Sequence, residues 1–418
     1  MRGRQRHRTP ARPWTGRLRR ALAISCGAVA MLALAVVPAA HALPPAGVPA
    51  IGVDAGRFKL PIGCTVTLAG VPVFYLPTDV DVQGVAPVQL GPGQEFWLTQ
   101  GSGSITFPSW LTSLAGIIAI DKVDAKITDL SIGASTSTPE SINIAKDEPF
   151  EIKDIPLTPG QPLKVGLPLQ GTFDVGPFKA ATSGATTLKF DGAVAEVNLK
   201  SSAGFTLPIK ADCKATKGNA LLKIGIGGPA GQPPAKITGA PLNFAEPASN
   251  ELAGIIHAPY SCTLGGDPLD VGIAVGANIP LVVKKGGSFS FTQASGALTL
   301  PAATVNKLLD KGYTTAAGKV TTLDLNVEGG TPAVQNVAAD AIAIPPTTFV
   351  RDRPTVIPLP AGGTLTAGPF KPVSGAQSVA VSLGGAAAEF TFNGSGTTSK
   401  ATCTAPSPKV YLVENPVT

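Results

Sequence analysis

Phe96-Trp97-Leu98-Thr99-Gln100-Gly101-Ser102-Gly103-Ser104-Ile105-Thr106-Phe107-Pro108 returns as Phe289-Ser290-Phe291-Thr292-Gln293-Ala294-Ser295-Gly296-Ala297-Leu298-Thr299-Leu300-Pro301, with seven of thirteen positions identical at an offset of 193. The same offset relates Lys126-Ile127-Thr128-Asp129-Leu130 to Lys319-Val320-Thr321-Thr322-Leu323, Thr138-Pro139 to Thr331-Pro332, and residues 143–147 to 336–340. With small insertions, residues 171–179 pair with 363–371, Cys64-Thr65 with Cys262-Thr263, and Cys213 with Cys403. An ordered series of matches at nearly one offset is a duplication. The unit is too long for a short-period solenoid, and long enough to bury its own core.

Within one unit the runs of Val, Ile, Leu, Thr and Phe are short and punctuated by Gly and Pro, which predicts strands. The repeated stretch ends on a proline, as a strand leaving a sheet does. A short helix is expected after it. In the second copy Val305, Leu308 and Leu309 fall at i, i+3, i+4, with Gly312 to stop it; in the first, Trp110, Leu111 and Leu114 are expected to play that part. The next strand slips phase, from Val123, Ala125 and Ile127 to Leu130 and Ile132, and from Val320 to Leu323 and Leu325. Such a slip turns apolar groups outward unless a β-bulge absorbs it, so bulges are expected near Thr128-Asp129 and Thr321-Thr322. The predicted class is all-β: two tandem antiparallel β-sandwich domains of immunoglobulin-like size, each with one short helix and one disulfide. A long curved sheet wrapped on the helix is the alternative.

The N-terminus reads as an export signal. Eight arginines and no acid occupy the first twenty residues, an apolar run follows from Ala21 to Val37, and Ala40-His41-Ala42 offers a cleavage site before Leu43. Removal of residues 1–42 lowers Lys plus Arg from 33 to 25 against 27 acids, a net charge of about −2. The basic balance of the whole chain therefore belongs to the signal, and nothing argues for nucleic acid as a partner. No later apolar run is long enough to span a membrane. The expected domains are 43–228 and 251–418, with the Pro/Gly-rich stretch 229–250 as linker.

Four cysteines remain after the signal: Cys64, Cys213, Cys262 and Cys403. In an exported chain they read as two disulfides, and their equivalent places in the two copies pair Cys64 with Cys213 and Cys262 with Cys403. Each copy, opened and closed by its own cysteine pair, is expected to fold alone.

Pro259-Tyr260-Ser261-Cys262-Thr263, the Thr299-Leu300-Pro301 strand end and Cys403-Thr404-Ala405-Pro406 before a last strand over 409–413 resemble an uncharacterised domain of secreted actinobacterial proteins, often found in tandem. The first copy departs from it, with Ile62-Gly63 before Cys64 and a longer middle. The resemblance implies export and a β-rich fold; it carries no catalytic residues.

Few residues suit catalysis. His257 is the one histidine after the signal and is expected as an exposed linker side chain, far from a Ser-His-Asp arrangement. The carboxylate pairs Asp79 with Asp81, Asp121 with Asp124 and Asp147 with Glu148 suit glycan hydrolysis in principle, but read more simply as solvated strand faces. The Gly225–Gly228 run leads into prolines and cannot open a phosphate-binding helix. Shared Thr99, Gln100, Ser102, Gly103, Thr106 and Pro108 either line a duplicated site or serve the fold; Gln100 and Gln293 are the candidate binding residues. The expectation is a secreted or cell-envelope, non-enzymatic binding or structural protein without cofactor or metal, whose partner is an envelope polysaccharide, lipid or protein. A carrier of an apolar ligand such as an envelope lipid is the first alternative, betrayed by a lined cavity. A glycan hydrolase is the second, betrayed by a cleft with two carboxylates.

Overall fold

The computed structural model describes residues 51–228, 237, 244 and 246–418. The expected signal, residues 1–42, and most of the linker lie outside the described residues. The first copy runs β1 (Val53–Leu68), β2 (Val71–Pro87), β3 (Gln89–Leu90), β4 (Glu95–Phe107), α1 (Ser109–Ile117), β5 (Ile120–Ala134), β6 (Ser141–Asn143), β7 (Phe150–Pro156), β8 (Leu163–Leu167), β9 (Phe173–Lys179), β10 (Gly184–Ser201), β11 (Thr206–Ala215) and β12 (Ala220–Ile226). The second runs β13 (Glu251–Leu264), β14 (Asp267–Pro280), β15 (Phe289–Leu300), α2 (Ala302–Asp310), β16 (Thr315–Glu328), β17 (Gly330–Thr331), β18 (Val334–Asn336), β19 (Ile342–Thr348), β20 (Thr355–Leu359), β21 (Leu365–Pro372), β22 (Ser378–Phe392), β23 (Thr398–Cys403) and β24 (Tyr411–Pro416).

Strand order is the same in both. The first copy is β8–β4–β2–β1–β11–β10–β5–β7, all antiparallel. The second is β20–β15–β14–β13–β23–β22–β16–β19. Each long sheet folds over on itself, so that the β2–β4 half covers the β5–β10 half as a sandwich. The disulfides clamp the crossover from one half to the other. Cys64 stands opposite Cys213 across β1 and β11, and Cys262 opposite Cys403 across β13 and β23, each pair bonded with Cα atoms 3.9 Å apart.

The phase slips are absorbed as the sequence demands. Val194 faces Asp129 and Ala195 faces Ile127, which leaves Thr128 as the extra residue; Thr321 is its equivalent between Val320 and Thr322. The repeated asparagine holds each bulge. Asn336 Oδ1 accepts from the backbone N–H groups of Leu323 and Ala338, both at 2.9 Å, and its Nδ2 donates to Thr321 O at 3.0 Å. Asn143 makes the same three bonds to Leu130, Ala145 and Thr128. Asn336→Ala leaves two N–H groups unpaired and is expected to cost about 1–3 kcal/mol of unfolding free energy in denaturant titration. A loss below about 0.5 kcal/mol, the size of an ordinary surface change, would remove the clamp from the account.

A second bulge explains the shared glutamines. Gly84 faces both Gln100 and Gly101, and Ala277 faces the matching pair Gln293 and Ala294. Gln100 and Gln293 take left-handed φ values of 53° and 51°. At this point β4 exchanges neighbours, from β9 before the bulge to β8 after it, and β15 does the same with β21 and β20.

The two copies share a sheet. The first half of β1 leaves β11 and pairs with the first half of β13, from Val53 opposite His257 to Lys59 opposite Glu251. At the centre Gly56 faces Gly254. These are equivalent residues, each eight positions before the first cysteine of its copy. The seam therefore has an approximate two-fold axis through the glycine pair, where a Cβ on Gly254 would stand 3.3 Å from Ala55 O. A second seam joins β12 to β24, with Ile224 bridged to Val410, Lys223 Nζ 3.0 Å from Glu414 Oε1, and the same Nζ 4.8 Å from the centre of the Tyr411 ring. One apolar core runs through both copies. Ile237 and Phe244 of the linker pack on the outer face of the shared sheet, against Val53, Ala55 and Val85.

His257 and helix α1 both depart from the sequence expectation. His257 is a strand residue of β13 and 2% exposed, because β13 begins at Glu251, directly after the expected linker, and is paired on both sides at this residue, with Val53 of β1 and Ala274 of β14. Helix α1 does not bury Trp110 or Leu114, which are half exposed. At the 193 offset the places of Val305, Leu308 and Leu309 belong to Thr112, Ala115 and Gly116. Thr112 is buried and its hydroxyl donates to Ser109 O and Gln161 O; Gly116 lies against Pro159. α2 buries Val305 and Leu308 and stops at Gly312, whose φ is 80°.

Candidate functional site

Between the two halves of each sandwich lies an apolar cavity. The first copy's measures about 70 Å³ and the second's about 50 Å³. Either has room for more than one water-sized group. The walls are equivalent. Val82, Leu98, Ser102, Leu130, Ile132 and Leu167 in the first correspond to Val275, Phe291, Ser295, Leu323, Leu325 and Leu359 in the second. The strand registers fix this: Gly103 faces both Val82 and Leu167, and Gly296 faces both Val275 and Leu359. The repeated stretch thus supplies one wall. Just past the bulge its inward residues carry small side chains or none, Gly101 and Gly103 in the first copy and Ala294 and Gly296 in the second, so the wall stands low over the facing strands, while Ser102 turns to the other face and accepts from Gln83 Nε2 at 2.9 Å.

A smaller void of about 20 Å³ lies at the seam, against Leu252, Gly254 and Ile256 of β13. It shares Val275, Ala277 and Phe291 with the second cavity, and Asp54 with the first. Asp54 is the one ionisable side chain on the walls of these three spaces. It belongs to the inward alternation of β1 with Gly56 and Phe58, and is 7% exposed. It makes no hydrogen bond or ion pair with a described residue. Burial pushes its carboxyl up to about 8, so it is neutral at pH 7. Leu252 holds the equivalent place in the second copy.

The opposite face of β1 and β2 is ionic. Asp81 lies 3.5 Å from Arg57 and 3.3 Å from Lys164, and Glu246 lies 2.7 Å from Lys59, 2.9 Å from Lys164 and 3.4 Å from Arg57. Hydrogen bonds from Lys164 and then Lys59 hold the Glu246 carboxyl down at about 2. A polar pocket of about 150 Å³ adjoins this network, with Arg57, Asp81, Gln83, Ser102 and Ser104 on its walls.

The carboxylates singled out in the sequence lie apart from the cavities. Asp79 accepts from Ser249 Oγ at 2.7 Å, and Asp81 is held by its two cations and Ser104 Oγ. Asp124 is paired with Lys200 at 2.6 Å and lowered first by the Asp154 N–H, then by Lys200. Asp121, Asp147 and Glu148 are exposed. Gln293 is exposed and Gln100 half-buried, each directly before a cavity-wall residue but not on the wall itself. Asp54 went unnoticed in the sequence because no repeat marks it. The available signal was a carboxylate in phase with Phe58 and Leu60 on the inward face of a strand.

No helix among the described residues is long and apolar enough to cross a membrane. The chain matches no curated protein and no solved structure. Residues 259–410, which span most of the second copy, match a protein family described as a family of unknown function (DUF6801).

Proposed function

We propose that this is a secreted or envelope-associated binding protein that holds an apolar ligand between the sheets of its sandwiches. The observation that carries the reading is the duplicated cavity. Large apolar side chains close sandwich interiors by default, and a void at one place is an accident of packing. Two voids at equivalent places, walled by equivalent strands, point to a feature kept through duplication. The walls are apolar in both, which suits an alkyl or similar group. Two disulfides fit an oxidising compartment, and the arginine-rich, then apolar N-terminus fits export.

The test is mass spectrometry of an organic extract of the purified protein, followed by titration of the extracted protein with propane, a probe small enough for voids of this size. The expected result is a co-purifying apolar compound, or saturable propane binding that Val82→Phe and Val275→Phe reduce by filling the cavities. Absence of both a bound compound and saturable propane binding would overturn the proposal.

A further inference from the structure

We infer that Asp54 is the polar anchor of the first cavity, and that the cavity takes a short-chain amphiphile whose head is an uncharged hydroxyl or carboxyl group. The inference rests on the apolar-ligand reading above and adds the chemistry of the head.

Asp54 stands where the first cavity and the seam void meet, at the border of both copies. A carboxyl group without a partner in an apolar enclosure is costly, and proteins ordinarily replace it or satisfy it. The second copy shows that the fold accepts the replacement, since Leu252 fills the same place beside the same glycine. The acid is thus not a requirement of the seam. Its unmet hydrogen-bonding capacity points into space large enough for another group.

The chemistry of that group follows from the neutral state of the acid. A protonated carboxyl offers one O–H donor and a carbonyl acceptor. Its full complement is a group that accepts and donates at once, as a hydroxyl or an unionised carboxyl does. An ester accepts only. An ammonium head would ionise Asp54 and create an ion pair that must be desolvated in an apolar cavity. The walls around Asp54, from β1, β2, β4, β5, β8, β9, β10 and β12 and from β13, β14, β15 and β24, present no second ionisable side chain to take part. The alkyl chain of the ligand then lies along the apolar walls.

The experiment is a calorimetric titration of the full chain and of Asp54→Leu and Asp54→Asn with 1-propanol and with propane, probes small enough for the cavity and the adjoining void. On the native protein propanol should bind about tenfold more tightly than propane, the worth of one buried hydrogen bond. Asp54→Leu should erase that advantage while propane binding persists, and Asp54→Asn, still neutral with a donor and an acceptor, should keep most of it. The advantage should also shrink above pH 8, where Asp54 ionises. Equal binding of propane and propanol to the native protein would overturn the anchor and leave the cavity reading intact. An advantage that survives in Asp54→Leu would place the anchor elsewhere and overturn it too. Binding of neither probe would overturn the cavity reading and the anchor with it.

Discussion

The second copy made alone, residues 246–418, is expected to fold and to pair with itself through β13. Its sandwich keeps its own disulfide and its own helix. Removal of the first copy bares the edge of β13 from Glu251 to His257, and an open strand edge beside apolar side chains recruits another edge. The seam is built to accept a copy of itself. Because Gly56 and Gly254 are equivalent and face each other, a second β13 can dock as β1 does, with Gly254 on Gly254 and Leu252 opposite Ile256. The first copy is poorer at this, since its self-pairing sets Asp54 opposite Phe58. Sedimentation of the isolated second copy should therefore show a dimer, and addition of the first copy, residues 51–228, should convert it to a one-to-one complex. A second copy that stays monomeric, and ignores the first when mixed with it, would contradict the shared seam. Gly254→Val in the full chain should weaken the same seam by crowding Ala55 O, at about 1–3 kcal/mol, the usual cost of overpacking.

Loss of the Cys262–Cys403 disulfide is expected to lower stability by about 2–5 kcal/mol. The bond closes a separation of 141 residues, so its removal frees much of the second copy in the unfolded chain. Its place gives it a second effect. β13 is held by β1 up to His257 and by β23 from Cys262 on, and the cystine stands where the second pairing begins. Without it, the fork between the two partners can open from the strand crossing. Thermal unfolding of Cys262→Ala/Cys403→Ala should show the drop, and the Cys64/Cys213 double variant should show a similar one. An unchanged midpoint in either variant would mean that the crossover is held by its hydrogen bonds alone.

The repeat made a large part of this fold legible. Equivalent cysteines gave the pairing, matched phase slips placed Thr128 and Thr321 in bulges, and the apolar spacing from Val305 to Leu309 located α2. The first helix was misread because Trp110 and Leu114 looked like an inward stripe, whereas the positions equivalent to Val305, Leu308 and Leu309 hold Thr112, Ala115 and Gly116. The seam was not legible. Alternation tells which face of a strand is buried, but not which neighbour its backbone will take, and β1 takes two. That is also why His257 passed for a linker residue. Of the candidate site, Ser102 and Gly103 were visible as shared positions without a role. A cavity comes from what side chains leave empty, and pattern reading records only what is present. Asp54 stood outside every motif, and only its position on the wall gives it meaning.

That both copies enclose an equivalent apolar cavity is open to direct test with xenon, since a dry apolar void of sufficient size takes up the atom. A crystal structure determined under xenon pressure should show xenon between Leu98 and Ile132 in the first copy and between Phe291 and Leu325 in the second. Xenon at neither place, with the facing side chains collapsed into contact, would contradict it.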